Sequence, residues 1–150
     1  MKIYRISKQK YRKDLSGEGA RLYGGRWNRR GDAMVYFSES LSLATLEMLV
    51  HMEYQFVDDS FYYMEVEVPD TLITTLKSPE KITVRWRDNP PNSRTQDYGS
   101  QWLKSNKSLG LRVPSAVLPL EYNILIHPRH PDFEKLQFIN SRKLILDNRL

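Results

Sequence analysis

The chain contains no cysteine. That removes disulfide frameworks, thiolate metal sites and cysteine nucleophiles together, and leaves no sign of an oxidising compartment. Histidine is nearly as scarce: His51, His127 and His130 are the full set, and the last two share a Pro-containing loop expected at the surface, so no metal site is expected. There is no Walker-type phosphate loop, no His-Glu-x-x-His and no Gly-x-Ser-x-Gly elbow. No stretch approaches the roughly 18 apolar residues needed to cross a bilayer. Residues 1–7 also lack the apolar core of a secretion signal, so a cytoplasmic protein without membrane contact is expected. Repeats and low-complexity tracts are missing as well.

What is present fits one domain over residues 1–150, with 40% hydrophobic and 27% charged residues. The 23 Lys+Arg against 18 Asp+Glu tilt the chain toward phosphate-bearing partners, an excess that many enzymes share. The most informative stretch is 43–51, an apolar helical run with Glu47 set into it between Leu43 and Ala44 on one turn and Val50 and His51 on the next. A buried carboxylate must find donors or a cation, or give up its charge. Either Glu47 floors a site, or its helix lies at the core's edge and the carboxylate reaches water.

Read in order, alternation predicts a strand at 2–6 carrying Arg5, then a basic cluster of Lys8, Lys10, Arg12 and Lys13 that is ordinarily solvated surface. Residues 16–20 read as a break leading to Arg21 and to Gly24-Gly25-Arg26-Trp27-Asn28. The glycine pair is either a plain turn or a place where backbone approaches a ligand beside a guanidinium and a large ring. A buried strand at 33–38 holds Tyr36, and Ser38 or Ser40 can cap the helix that begins near Leu41. Tyr36 is either a core ring with a bonded hydroxyl or part of a site. Strands follow at 61–68, 71–76 and 81–86, then a helix capped by Thr95 and running to about Ser105. Period-two spacing over 111–120 places Ser115 with Val113 and Val117, while Pro114 and Pro119 argue for an edge or interrupted strand. Ser115 is then an offered hydroxyl or simply a buried serine bonded to backbone. Further strands are expected at 123–126 and within 136–146.

A carboxylate, arginines on strand and loop, an aromatic ring and a hydroxyl suit a ligand with anionic phosphates and a reacting centre that turns positive, as in nucleotide sugars and dinucleotides. The sequence resembles the RES-domain proteins, toxins of bacterial RES/Xre toxin–antitoxin modules. The likeness rests on Tyr4-Arg5-Ile6, Gly19-Ala20, Gly24 to Asn28, Gly31, Val35-Tyr36, Ser38, Ala44, Leu46-Glu47 and His51, and then on Val113-Pro114-Ser115 and residues 145–150. On this resemblance Arg26, Glu47 and Ser115 are the arginine, glutamate and serine that name the domain.

The resemblance implies an α+β fold like that of ADP-ribosyltransferases, with mixed β-sheets around a central cleft for NAD+ and a few flanking helices. It implies a toxin that degrades NAD+ at the nicotinamide–ribose bond by hydrolysis or phosphorolysis, NAD+ being substrate and no other cofactor being required. Glu47 would hold the ribose and stabilise the positive ribosyl centre. Arg26 and Arg5 would meet the phosphates or orient Glu47, with Arg21 able to replace Arg5. Tyr36 would stack on or bond the nicotinamide ribose, and Ser115 would hold the ligand or the attacking group. An Xre-type helix-turn-helix antitoxin would cover the active site, within a multi-chain complex. Two other readings are ADP-ribosyl transfer to a protein or nucleic acid, and a basic nucleic-acid-binding module that would leave Glu47 unexplained.

Overall fold

A computed structural model describes residues 1–52 and 60–150. Its strands are β1 (Lys2–Lys8), β2 (Val35–Ser38), β3 (Phe61–Glu67), β4 (Ile73–Thr75), β5 (Gly110–Pro114), β6 (Tyr122–Ile126) and β7 (Gln137–Lys143). Its α-helices are α1 (Glu18–Tyr23), α2 (Leu41–His51) and α3 (Ser93–Ser105), so the chain is α+β as expected. The strands form one seven-stranded sheet in the order β4-β5-β6-β2-β1-β3-β7. It is mixed: β4 and β5 run parallel, and every other neighbouring pair runs antiparallel. Parallel neighbours need a crossover, and this one occupies residues 76–109 with α3 inside it.

Register decides which side chains share a face. Val35 and Phe37 oppose Ile126 and Ile124, while Ile3 and Arg5 oppose Val66 and Met64. That face carries the aliphatic core of Ile3, Val35, Phe37, Met64, Val66, Ile124 and Ile126. Tyr36 and Ser38 alternate to the other face with their partners Leu125 and Asn123, and β5 adds Leu111 and Val113 there. A second core builds on this side from Trp27, Trp86, Trp102, Leu103, Leu111, Val113 and Leu125.

Local chemistry explains most boundaries. Ser40 caps α2 by accepting from the Leu43 N–H at 3.1 Å, which resolves the choice between two serines. Helix α3 is capped by Asn92, which accepts from the Arg94 N–H at 2.9 Å. Thr95 instead donates its hydroxyl to the Asn92 carbonyl. The break expected at 16–20 is a helix, α1, entered through Gly17 at φ 71°. The strand expected at 81–86 is not one. Pro79–Lys81 is a single 3-10 turn, followed by further turns that bury Trp86; Pro79 favours the turn and has no N–H for a ladder. The strand expected over 111–120 stops at Pro114, and it lies inside the sheet, between β4 and β6, rather than at its edge. His127 and His130, expected at the surface, are 8% and 9% exposed. Among the described residues no helix is long and apolar enough to cross a membrane.

Candidate active site

Glu47 lies on α2, whose inner residues Leu43 and Ala44 are buried while Leu46 and Val50 are 42% and 59% exposed. The apolar wall expected around Glu47 therefore exists on only one side of the helix. The carboxylate's immediate surroundings are polar instead. Its Oε1 accepts from the Ser115 hydroxyl at 2.6 Å and from the Asn123 side-chain amide at 2.8 Å. Its Oε2 lies 4.0 Å from Nε2 of His51, one turn further along the same helix, and the side chain stays 22% exposed. One oxygen is anchored, and among the described residues no hydrogen bond holds the other.

Ser115 is fully buried, one residue beyond β5. Its hydroxyl donates to Glu47 while its Oγ accepts from the Val117 and Leu118 N–H groups, each at 3.1 Å. The turn thus fixes where the serine proton points, toward Glu47. Asn123 was not singled out from the sequence, where it reads as an ordinary residue of a strand. It accepts from the Ser38 hydroxyl at 3.0 Å through Oδ1, which commits its amide nitrogen to Glu47. The period-two register that pairs Ser38 with Asn123 was the available signal.

Arg26 comes from the loop after α1. Its Nη1 donates to the Trp86 carbonyl at 2.7 Å and the Asp88 carbonyl at 2.8 Å. Burial pulls its pKa below the ordinary guanidinium value, and the negative charges of Glu47 and Asp88 oppose that. Arg26 and Glu47 therefore lie within each other's field without a direct bond. The loop that presents Arg26 is built tightly. The Tyr36 hydroxyl donates to Asn28 Oδ1 at 2.6 Å and accepts from the Trp27 N–H at 3.1 Å, and burial drives its pKa upward. Fully buried Asn28 donates in turn to the carbonyls of Ala20, Asp32 and Arg29. A Cβ on Gly25 would sit 2.6 Å from the Tyr36 oxygen, so the glycine admits that phenol. Trp27, read from the sequence as a ring near a ligand, is 2% exposed and belongs to the second core.

Glu47, Ser115, Tyr36 and Arg26 are thus gathered on one side of the sheet. Arg5 is not, and Arg21, on α1, is tied to Glu18 instead. Arg5 alternates onto the aliphatic face and donates to the Asp14 carbonyl at 2.9 Å, with burial lowering its pKa and Asp14 opposing. Arg21 pairs with Glu18 on α1, and that bond raises its pKa. The charges that act on either arginine do not include Glu47.

A mixed sheet whose strand ends steady a helical carboxylate, with a buried arginine loop beside it, defines the class. The RES domain model matches residues 2–147, and the chain belongs to that family. Toxin Res of Yersinia enterocolitica is 40% identical, covering 100% of this chain and 99% of that protein. Toxin Res of Photorhabdus laumondii is 37% identical over 100% and 97%. The Prs ADP-ribosylating toxin of Sphingobium sp. is 39% identical, over 91% of this chain and 86% of its own. Among solved structures, the M. tuberculosis MbcT–MbcA toxin–antitoxin complex contains a chain that superposes with a TM-score of 0.76. The match spans 95% of this chain and 83% of that one at 21% identity, a likeness of fold.

Proposed function

We propose that this chain is the toxin of a toxin–antitoxin module and splits NAD+ between nicotinamide and ribose. The observation that carries the reading is the asymmetry of Glu47: Oε1 is held by Ser115 and Asn123, while among the described residues no hydrogen bond holds Oε2. As the glycosidic C–N bond breaks, its electron pair leaves with nicotinamide and the ribosyl carbon turns positive. A carboxylate fixed in advance stabilises that charge with no reorganisation at the moment of reaction. Water then adds its oxygen to the carbon and loses a proton, or inorganic phosphate adds in its place. Arg26, partly withdrawn from water, supplies positive charge for the pyrophosphate. A helix-turn-helix antitoxin seated over the site fits Leu46 and Val50, which are exposed together on one face of α2 next to Glu47.

The purified protein should release nicotinamide from NAD+, and Glu47→Gln, equal in size and uncharged, should abolish release while the fold is kept. Full activity in Glu47→Gln would refute the mechanism. Running the reaction with and without inorganic phosphate identifies the acceptor from the sugar product. A second reading, ADP-ribosyl transfer to a macromolecule, is favoured by the Sphingobium relative's name. Label in the adenylate half would then appear on protein or nucleic acid instead of in small products.

A further inference from the structure

The Nη1 of Arg26 donates to two carbonyls, those of Trp86 and Asp88, which are the residues on either side of Arg87. One guanidinium therefore grips the backbone around a second. Arg87 in turn donates from Nε to the Ala116 carbonyl at 2.9 Å, next to the serine that anchors Glu47. The chain of contacts runs from Arg26 through residues 86–88 to the 115–118 turn and ends at Glu47. Arg87 is exposed, its recorded hydrogen bond uses Nε alone, and its neighbour Asp88 is paired with Arg85 at 2.8 Å. Arg87 lies between the two carbonyls that Arg26 holds, so two positive side chains share one short segment, an arrangement that an anion bound to both relieves.

We propose that Arg87 is a binding residue for a phosphoryl oxyanion, working as a pair with Arg26, and that the natural occupant is the pyrophosphate of the dinucleotide. This rests on the NAD+ reading above. With Nε tied to Ala116, the plane of the guanidinium is fixed and its two terminal nitrogens remain as a fork, the geometry that meets two oxygens of one phosphate. Inorganic phosphate acting as acceptor offers the same chemistry, and separate titrations tell the two apart.

The test is calorimetric titration of the native protein, Arg87→Gln and Arg87→Lys with ADP, adenosine and inorganic phosphate, alongside nicotinamide release by the native protein. The native protein should prefer ADP to adenosine. Arg87→Gln should weaken ADP by about 10- to 100-fold, the range for losing a charge-assisted contact, and adenosine by no more than about twofold. Arg87→Lys, which keeps charge without the fork, should fall between. A native protein with no preference for ADP overturns the proposal, as does equal loss of ADP and adenosine in Arg87→Gln, which marks a merely structural role. Loss of inorganic phosphate with ADP affinity intact overturns the pyrophosphate assignment and gives the pair to the acceptor. If nicotinamide is never released while ADP still depends on Arg87, the NAD+ reading fails and the oxyanion site stands.

Discussion

The two faces of the sheet use the same strands for different ends. On one, Ile3, Phe37, Met64, Val66, Ile124 and Ile126 pack as a dry aliphatic core in which any side chain of matching volume serves. On the other, Ser38, Tyr36, Asn123 and Ser115 each have a named polar partner, and the apolar residues around them include three tryptophans. The first face fails by degrees when it is altered. The second fails contact by contact, because removing one partner strands another buried group.

Mutations on the two sides should therefore separate stability from activity. The largest effect expected is on the polar side: Glu47→Gln should lower nicotinamide release by at least about 100-fold, on the scale of losing one preorganised electrostatic group, with an unchanged melting temperature. An active, equally stable variant would erase the contrast. Next, Ile124→Ala on the aliphatic side should cost about 2–5 kcal/mol, read as a lowered thermal midpoint, while kcat per folded molecule stays close to native. Loss of kcat at full stability would show that the faces are not separable.

Gly99→Ala sharpens the comparison from within the second core. A Cβ there would fall on the Trp27 carbonyl, so α3 must withdraw from the loop that carries Arg26. About 1–3 kcal/mol of destabilisation is expected from such overpacking, accompanied by loss of activity. The smallest effect concerns acid. His127 is buried and accepts from the Arg129 N–H at Nδ1. Burial, helped by the nearby His130, lowers its pKa from 6.5. The folded state thus binds fewer protons than the unfolded one below that value. Its contribution is complete above pH 6.5 and declines as pH falls through 6.5 toward the lower folded value. Melting curves between pH 7.5 and about 5 should show this loss, and His127→Gln should flatten it. An unchanged slope in that variant would assign the acid sensitivity elsewhere.

The sequence revealed what depends on local pattern. Alternation located β1 and β3, a buried apolar stretch located β2, the strand expected at 123–126 is β6, and the serine before Leu41 marked the start of α2. Glu47 was conspicuous because a carboxylate in an apolar run is unusual, and its likeness to a known family joined it to Arg26 and Ser115. Asn123 stayed hidden because its role exists only once β2 and β6 are in register. Arg5 shows the reverse: it lies on the face opposite Tyr36 and Ser38, because one position along a strand changes the face, and nothing in residues 2–6 says which face it takes. Arg87 falls between the strand expected at 81–86 and the helix capped near Thr95, and its place shows only in which carbonyls flank it and what they touch.

The single parallel pair, β4 beside β5, obliges the chain to leave the sheet and travel a long arc before returning. That arc supplies Trp86, Arg87, Asp88 and Gly99, the residues that brace Arg26 and its loop. The surroundings of Arg26 are thus shaped by a detour rather than by the sheet. Such a detour can lengthen, shorten or change its side chains without re-threading a strand, so what lies around Arg26 can vary while the carboxylate and its anchors stay where they are.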